Sequence, residues 1–277
     1  VINEFVPNWG IECTLLSIDE MNYIEQFLKP NIKAVFLETP TNPGLRLLDL
    51  EKIGKAIEGI DIAYIVDNCF ATPILQQPSL FGADMVIHSA TKFIDGQGRV
   101  LGGIIAGTKE RIAKCYQFLR RTGPSLSPFN AHVLSKSLDT LSLRVNRQSD
   151  SALEIAKRLE ASSAIDKVFY PQLPSHPDYE IYKKQMCKGG ALIAFYVKGD
   201  LAQTRQFVNN LELFIITANL GDIKSIVTHP ASTTHSKLSQ EAREEVEIYD
   251  NLVRLSIGLE HPDDLWNDVE QALKGVM

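Results

Sequence analysis

Three groups of polar residues follow short apolar segments in the first half of the chain, and their side chains could carry out covalent catalysis. They are Glu38-Thr39-Pro40-Thr41-Asn42-Pro43-Gly44 after residues 34–37, Asp67-Asn68 after residues 62–66, and His88-Ser89-Ala90-Thr91-Lys92 after residues 85–87. Together they supply carboxylates, amides, hydroxyls and a lysine amine. A lysine that follows a buried strand is partly desolvated, which lowers the pKa of its amine and leaves it ready to attack a carbonyl carbon.

The segments between these groups predict the elements that would position them. The apolar segments at residues 34–37, 62–66, 85–87 and 103–106 are continuous rather than alternating, and helical patterns separate them. Continuous apolar strands of this kind are typical of a parallel sheet covered on both faces. Ligands of such sheets bind at the carboxyl ends of the strands, so we expect the three polar groups to open on one crevice.

Local signals also predict where several elements begin. Asp49 and Thr108 each precede a helical pattern and are suitable N-terminal caps. Near the start of the chain, residues 11–17 are expected to form a strand, and Asp19 is expected to cap the helix that follows it.

The second half of the chain predicts a further α/β unit. Ser127 and Pro128 begin a helical pattern that continues to about residue 160, which is long for a globular helix, so we expect a break near residues 147–151 that joins two domains. Strands are predicted at residues 167–170, 191–197, 213–217 and 252–257, and helices at residues 177–187, 201–210 and 262–274. We therefore predict a large domain in residues 1–147 and a smaller C-terminal α/β domain in residues 148–277.

The polar groups at the strand ends suit one cofactor, pyridoxal phosphate. This cofactor needs a lysine amine for a Schiff base and an acidic partner that keeps its pyridine nitrogen protonated. It also needs hydroxyl and backbone N–H donors for its phosphate. Lys92, Asp67, Ser89 and Thr91 match these requirements. Each of them alone has an ordinary structural explanation, such as a solvated surface lysine or a helix cap, and only their combination favours a cofactor site.

Composition and motifs exclude several other classes. Of the 277 residues 44% are hydrophobic and 22% charged, a mixture typical of globular proteins. The net charge of −6 is unclustered, so neither a nucleic-acid nor a membrane partner is expected. The four cysteines form no CxxC pair, and no HExxH, G-x-S-x-G, P-loop or complete dinucleotide motif is present, so we expect no metal. A cytoplasmic enzyme is the expectation.

Four segments in order closely resemble the Cys/Met-metabolism family of pyridoxal-phosphate enzymes. They are ETPTNP at residues 38–43, VDN at residues 66–68, SATK at residues 89–92 and LVRLSIGLE at residues 252–260. The family includes cystathionine γ-synthase, the cystathionine lyases, methionine γ-lyase and the homoserine-ester sulfhydrylases. The resemblance implies the α/β fold of aspartate aminotransferase, fold type I, with a mostly parallel sheet in a large domain and a smaller C-terminal α/β domain.

The resemblance also implies roles at the cofactor. Lys92 matches the lysine that forms the Schiff base and later moves protons. Asp67 matches the partner of the pyridine nitrogen, and Asn42 matches the amide beside the phenolic oxygen. Ser89 and Thr91 match ligands of the phosphate.

Two further residues are implied to bind the substrate. Arg254 matches the arginine that holds the substrate α-carboxylate, a task that suits the planar guanidinium. Asn219 stands where many relatives have a serine and is expected to meet the substrate carboxylate or the cofactor imine. The segments FIDGQGRVLGG at residues 93–103 and TANLGD at residues 217–222 resemble the O-succinylhomoserine sulfhydrylase branch. That branch makes homocysteine from O-succinylhomoserine and sulfide in methionine biosynthesis.

Alternatives remain within and outside the family. The same residues would serve cystathionine γ-synthase, an O-acetylhomoserine sulfhydrylase, or a cystathionine or methionine γ-lyase. Relatives carry a further upstream segment that completes the cofactor site, and we expect the sequence to show part of a longer protein. A non-catalytic fragment that binds a partner subunit is the alternative from another class. The resemblance also implies a homo-oligomer, with a tetramer expected.

Overall fold

The first sheet positions the polar groups found in the sequence. A computed structural model describes residues 5–275. Its first sheet has the order β1-β2-β3-β4 and consists of β1 (Ala34–Glu38), β2 (Ala63–Asp67), β3 (Met85–Ser89) and β4 (Gly103–Gly107). Strands β1, β2 and β3 are parallel, whereas β4 is antiparallel to β3. The prediction of a mostly parallel sheet is confirmed.

Four α-helices belong to this half of the chain within the described residues. They are α1 (Ile18–Met21), α2 (Leu50–Ala56), α3 (Thr72–Leu75) and α4 (Lys109–Thr122). The predicted caps are confirmed, since Asp49 accepts a hydrogen bond from the backbone N–H of Lys52 and Thr108 from that of Arg111.

The expectations for the start of the chain are wrong. Residues 11–17 are not part of any sheet in the described chain, and an apolar segment without a partner strand gains no ladder of hydrogen bonds. The cap of α1 is Ser17 rather than Asp19. Ser17 and Glu20 form a reciprocal capping box, which satisfies two backbone N–H groups at once.

Helix α5 (Pro128–Ala161) runs for 34 residues, so the predicted break near residues 147–151 is wrong. The segment after Pro128 contains no Gly or Pro that would interrupt the helical hydrogen bonds. Its buried face also packs on two cores in succession, with Leu141 in the core beside the first sheet and Ile155 in the core of the second. The predicted boundary between residues 147 and 148 falls inside this helix, and the division into two domains stays a prediction.

The second sheet has the order β5-β6-β9-β8-β7. Its strands are β5 (Ile165–Phe169), β6 (Leu192–Val197), β7 (Ile215–Ile216), β8 (Ile226–Thr228) and β9 (Leu252–Ser256). Neighbouring strands are antiparallel except β7 and β8. Helices α6 (Tyr179–Gln185), α7 (Leu201–Asn210), α8 (Gln240–Glu244) and α9 (Pro262–Lys274) complete this half. Strand β8 was not predicted, because three residues are too few for a periodic pattern.

No helix within residues 5–275 combines the length and the apolar composition that a bilayer span requires. Over the same range, no group of three or more His, Cys, Asp or Glu side chains is arranged to hold a metal ion.

The continuity of α5 can be tested at Arg147, an exposed residue in the middle of the helix. Arg147→Pro should lower the free energy of unfolding by about 3 kcal/mol or more, because proline removes a helical hydrogen bond and clashes with the preceding turn. Arg147→Ala is the matched control and should change it by less than about 0.5 kcal/mol. Urea unfolding of both variants measures the difference. Equal stability of the two would mean that the helix is broken at this point.

Candidate active site

The carboxyl ends of β1, β2 and β3 meet at one edge of the first sheet, as the sequence predicts. Glu38 and Asp67 are the last residues of their strands and are paired in parallel register. Asp67 is also paired with Ile87, two residues before the end of β3. The three polar groups therefore lie side by side rather than at separate places on the surface.

Lys92 lies in a single π-helical turn, Ala90–Ile94, directly after β3. Its backbone angles, φ −86° and ψ −128°, depart from helical values. Arg144 of α5 holds this turn from behind, since its guanidinium donates hydrogen bonds to the carbonyl oxygens of Phe93 (2.7 Å) and Ile94 (3.1 Å). The long helix thus fixes the backbone that carries the lysine.

The Lys92 amine contacts the loop that precedes β8. Nζ donates a hydrogen bond to Oδ1 of Asn219. Burial lowers the pKa of Lys92, and the charge of Arg254 lowers it further, while Cys69 opposes the shift. Gly221 lets this loop approach, because a Cβ atom there would lie 2.7 Å from the backbone nitrogen of Phe93 and 3.1 Å from Cβ of Lys92.

Arg254 lies in the central strand β9 and is only 1% exposed. One terminal nitrogen donates to Oδ1 of Asn42 (2.6 Å), and the other donates to the carbonyl oxygen of Asn219 (3.3 Å) and to Oγ1 of Thr228 (3.3 Å). Its Nε is buried and has no acceptor among the described residues. Burial lowers the pKa of Arg254 to about 10, although the charge of Glu38 opposes this shift.

Two carboxyl groups face this crevice, and burial raises the pKa of both. Asp67 accepts a hydrogen bond from the backbone N–H of Cys69 (3.0 Å), which partly offsets the effect of burial. Burial and the charge of Asp67 raise the pKa of Glu38 to about 7, against the opposing effects of the Asn42 backbone N–H and the Arg254 charge. Neither carboxylate has an ion-pair partner within residues 5–275.

The two hydroxyls beside the lysine turn differ in their contacts. Oγ1 of Thr91 accepts a hydrogen bond from the backbone N–H of Gly102 (3.1 Å), which holds the threonine against the start of β4. Ser89 is half-buried, and its hydroxyl makes no hydrogen bond with another described residue.

A family model for the Cys/Met metabolism PLP-dependent enzymes matches residues 1–274. This chain belongs to that family. The predicted resemblance and the pyridoxal-phosphate cofactor are thereby confirmed.

Individual relatives in this family differ in their named activities. The chain is 42% identical to an O-succinylhomoserine sulfhydrylase of Pseudomonas aeruginosa over 273 residues, which cover 99% of this chain and 68% of that protein. It is 39% identical to an L-methionine gamma-lyase of Fusobacterium nucleatum over 280 residues, or 100% of this chain and 71% of that protein. The crystal structure of metB from Corynebacterium glutamicum superposes with a TM-score of 0.94 at 35% identity, covering 100% of this chain and 71% of the other. This superposition confirms the fold type I architecture.

The residues at the strand ends fit the family's cofactor. Pyridoxal phosphate requires an amine that loses its proton easily, an acid and donors for a phosphate. Lys92 has a lowered pKa, Asp67 is a half-buried carboxyl, and the Ser89 hydroxyl has no protein partner among residues 5–275. The unpaired Nε of Arg254 is likewise a buried donor suited to a substrate carboxylate.

The structure brings together all seven residues that the sequence singled out. Four of them form a chain of hydrogen bonds from Asn42 through Arg254 and Asn219 to Lys92. The other three, Asp67, Ser89 and Thr91, lie at the ends of β2 and β3 or in the turn that follows. Their individual roles stay predictions.

Thr228 and Arg144 were missed. Thr228 lies in the unpredicted β8, and the sequence carries no signal for its contact with Arg254. Arg144 could have been recognised in the sequence, because it is a charged residue between Leu141 and Val145 on the buried face of α5. Arg99, whose role the sequence left open, pairs with the buried Asp95 (2.9 Å) and donates to Ser137 of α5 (2.7 Å).

Gly221→Ala tests the approach of the Asn219 loop to the lysine. The new Cβ would collide with the backbone of Phe93 at a residue whose φ is +78°, so we expect the affinity for pyridoxal phosphate to fall at least about tenfold. The control is Gly59→Ala, since Gly59 has a similar φ of +77° with no atom within 4 Å of the added Cβ. Titration of the visible absorption band of the cofactor gives both affinities. An unchanged affinity in Gly221→Ala would contradict the close approach.

Proposed function

We propose that this member of the family is a γ-replacement enzyme that forms homocysteine from O-succinylhomoserine and sulfide. The observation that carries the proposal is the chain of hydrogen bonds that joins Arg254 to Lys92 through Asn219. A substrate carboxylate bound by Arg254 would place the α-carbon of the amino acid beside the lysine amine. The sulfhydrylase-like segments at residues 93–103 and 217–222 and the 42% identity to the Pseudomonas aeruginosa sulfhydrylase support this branch.

Each residue contributes a separate part of the chemistry. Pyridoxal phosphate, when bound, supplies an electron sink for the electron pair left at the α-carbon after proton removal. Lys92 would hold the cofactor covalently, and after the substrate displaces it, Nζ would take the α-proton and return protons in later steps. Its lowered pKa makes Nζ a better proton acceptor at neutral pH than an exposed lysine.

The remaining residues would bind the cofactor and orient the group that binds the substrate. Asp67 would stay anionic opposite the pyridine nitrogen, since a positive charge there offsets the cost of burying the carboxylate. Ser89 and Thr91 would donate to the phosphate, and Asn42 would lie beside the phenolic oxygen while it orients Arg254. Loss of succinate from the γ-carbon and addition of sulfide at the same carbon would complete the exchange.

A methionine γ-lyase is the second candidate. The 39% identity to the Fusobacterium nucleatum enzyme favours it, and the same lysine, aspartate and arginine would serve both reactions. The difference lies in the fate of the carbon chain, because a lyase eliminates the γ-substituent and releases a keto acid instead of adding a nucleophile. Cystathionine γ-synthase and O-acetylhomoserine sulfhydrylase change only the nucleophile or the ester.

Steady-state assays that combine O-succinyl- or O-acetylhomoserine with sulfide or cysteine should give the highest kcat/KM for the succinyl ester with sulfide. Lys92→Ala should reduce kcat at least about a thousandfold, because the group that moves the protons is lost. Lys157→Ala, an exposed lysine on α5, is the control and should retain activity. A higher kcat/KM for another combination of ester and sulfur donor would assign the protein to another branch of the family. Turnover by Lys92→Ala would refute the assignment. So would a parent protein that shows neither turnover nor a cofactor absorption band, and that second result would favour a non-catalytic fragment.

On the strength of the resemblance we also propose a cytoplasmic homotetramer, with each chain divided into residues 1–147 and 148–277. Light scattering of the protein loaded with cofactor should give four times the mass of one chain. The mass of a single chain would contradict the tetramer.

A further inference from the structure

Glu38 is a half-buried carboxyl group that the proposed chemistry leaves without a task. It is the last residue of β1 and lies directly opposite Asp67, the last residue of β2, in parallel register. Residues paired in this way project their side chains to the same face of the sheet. The two carboxyl groups are therefore neighbours on the face that leads to the cofactor and substrate residues.

Arg254 supplies the positive charge that faces this pair. It donates a hydrogen bond to Asn42, whose backbone N–H in turn stabilises the anionic form of Glu38. Glu38 is the carboxyl whose charge stabilises the charged form of Arg254. No carboxylate in the described chain forms an ion pair with Arg254, so Glu38 acts across space rather than by contact.

Three other titratable groups lie near this pair. Cys69 stays a neutral thiol, because burial and the charge of Asp67 raise its pKa to about 12. Burial and the Arg254 charge lower the pKa of His235, which keeps the imidazole neutral. Lys92 lies near Cys69 and Arg254, and burial lowers the pKa of its amine.

Binding of a substrate carboxylate would change the charge balance at this point. The carboxylates of Glu38 and of the substrate would then both face one buried guanidinium. Like charges in a site shielded from solvent disfavour the ionisation of both, which favours the uptake of a proton by one of the two carboxyl groups. Asp67 is needed as an anion at the pyridine nitrogen, whereas Glu38 has no such partner.

We propose that Glu38 balances the charge of the carboxylate site: above neutral pH it faces Arg254 as a carboxylate in the absence of substrate, and it takes up one proton from solvent when a substrate carboxylate binds the guanidinium. The proposal rests on the proposed role of Arg254 as the carboxylate-binding residue. It makes Glu38 a positioning residue that acts through Arg254, with no contact to the reacting atoms required.

The sign of the pH dependence follows from the order of the two ionisations. Glu38 has a pKa of about 7 before the ligand binds, and a second carboxylate raises it further. The ligand therefore binds best below pH 7, where Glu38 already holds its proton. Its affinity should fall about tenfold between pH 6 and pH 8, because each binding event then has to take up a proton. Glu38→Gln is neutral at every pH and should remove this dependence.

Butyrate is a suitable probe, because it has a carboxylate but no amine that could react with the cofactor. Calorimetric titrations of the protein loaded with pyridoxal phosphate, in two buffers of different ionisation enthalpy at pH 7.5, count the protons taken up. We expect more than about half a proton per butyrate in the wild type and essentially none in Glu38→Gln. Glu58→Gln, an exposed glutamate in the turn after α2, is the control and should behave as the wild type.

Several outcomes would overturn the proposal. If the wild type binds butyrate without taking up a proton, that result alone refutes the proposal, and it does not depend on the folding of any variant. Equal uptake by Glu38→Gln and the wild type would assign the proton to another group. A flat affinity between pH 6 and pH 8 would have the same consequence.

Arg254→Lys separates this proposal from the function on which it rests. It should weaken butyrate binding more than tenfold while the visible absorption band of the cofactor is retained, because lysine cannot reproduce the bidentate guanidinium. If butyrate binds this variant as well as the wild type, the proposed role of Arg254 fails and the Glu38 proposal fails with it. If binding is lost but the wild type takes up no proton, only the Glu38 proposal fails.

Discussion

A guanidinium buried in the middle of a sheet requires acceptors and negative charge around it, since an uncompensated buried charge is strongly destabilising. For Arg254 the acceptors are Asn42, the carbonyl oxygen of Asn219, and Thr228. Asn42 follows strand β1 of the first sheet, whereas the other two acceptors belong to the second half of the chain. The two sheets therefore have to meet at this arginine, and the crevice between them contains the lysine and both carboxyl groups.

Helix α5 keeps the two halves at a fixed distance. Arg144 binds the carbonyl oxygens of the lysine turn, and Gln148, one helical turn later, donates to the carbonyl oxygens of Asp222 and Ile257 at 2.8 Å each. Residues four apart lie on the same face of a helix. One face of one helix thus holds both the backbone of Lys92 and the loop that carries Asn219.

The two segments that suggest the sulfhydrylase branch have different positions in the structure. Residues 93–103 lie behind the lysine turn, where Asp95 and Arg99 pair and the Gly96 carbonyl oxygen accepts from Ile223 (2.8 Å). Residues 217–222 contact the lysine directly through Asn219. In the proposed function Lys92 and Arg254 act on the part of the amino acid that all substrates of the family share, so discrimination between esters would have to come from groups beyond them.

Short-range patterns in the sequence determined the local structure and the chemical groups of the site. Asp49 and Thr108 predicted helix starts, the bounds of α7 and α9 agree with their patterns, and Lys92 and Asp67 follow the strands that position them. Tertiary packing decided the rest, including the continuity of α5 on two cores and the unpaired segment at residues 11–17. It also decided the surroundings of Glu38 and the partners of Arg254. Arg254 and Asn42 are 212 residues apart in the chain. Residue spacing and periodicity describe neighbours along the chain, so they predict neither a contact between residues so far apart nor the burial that results from it.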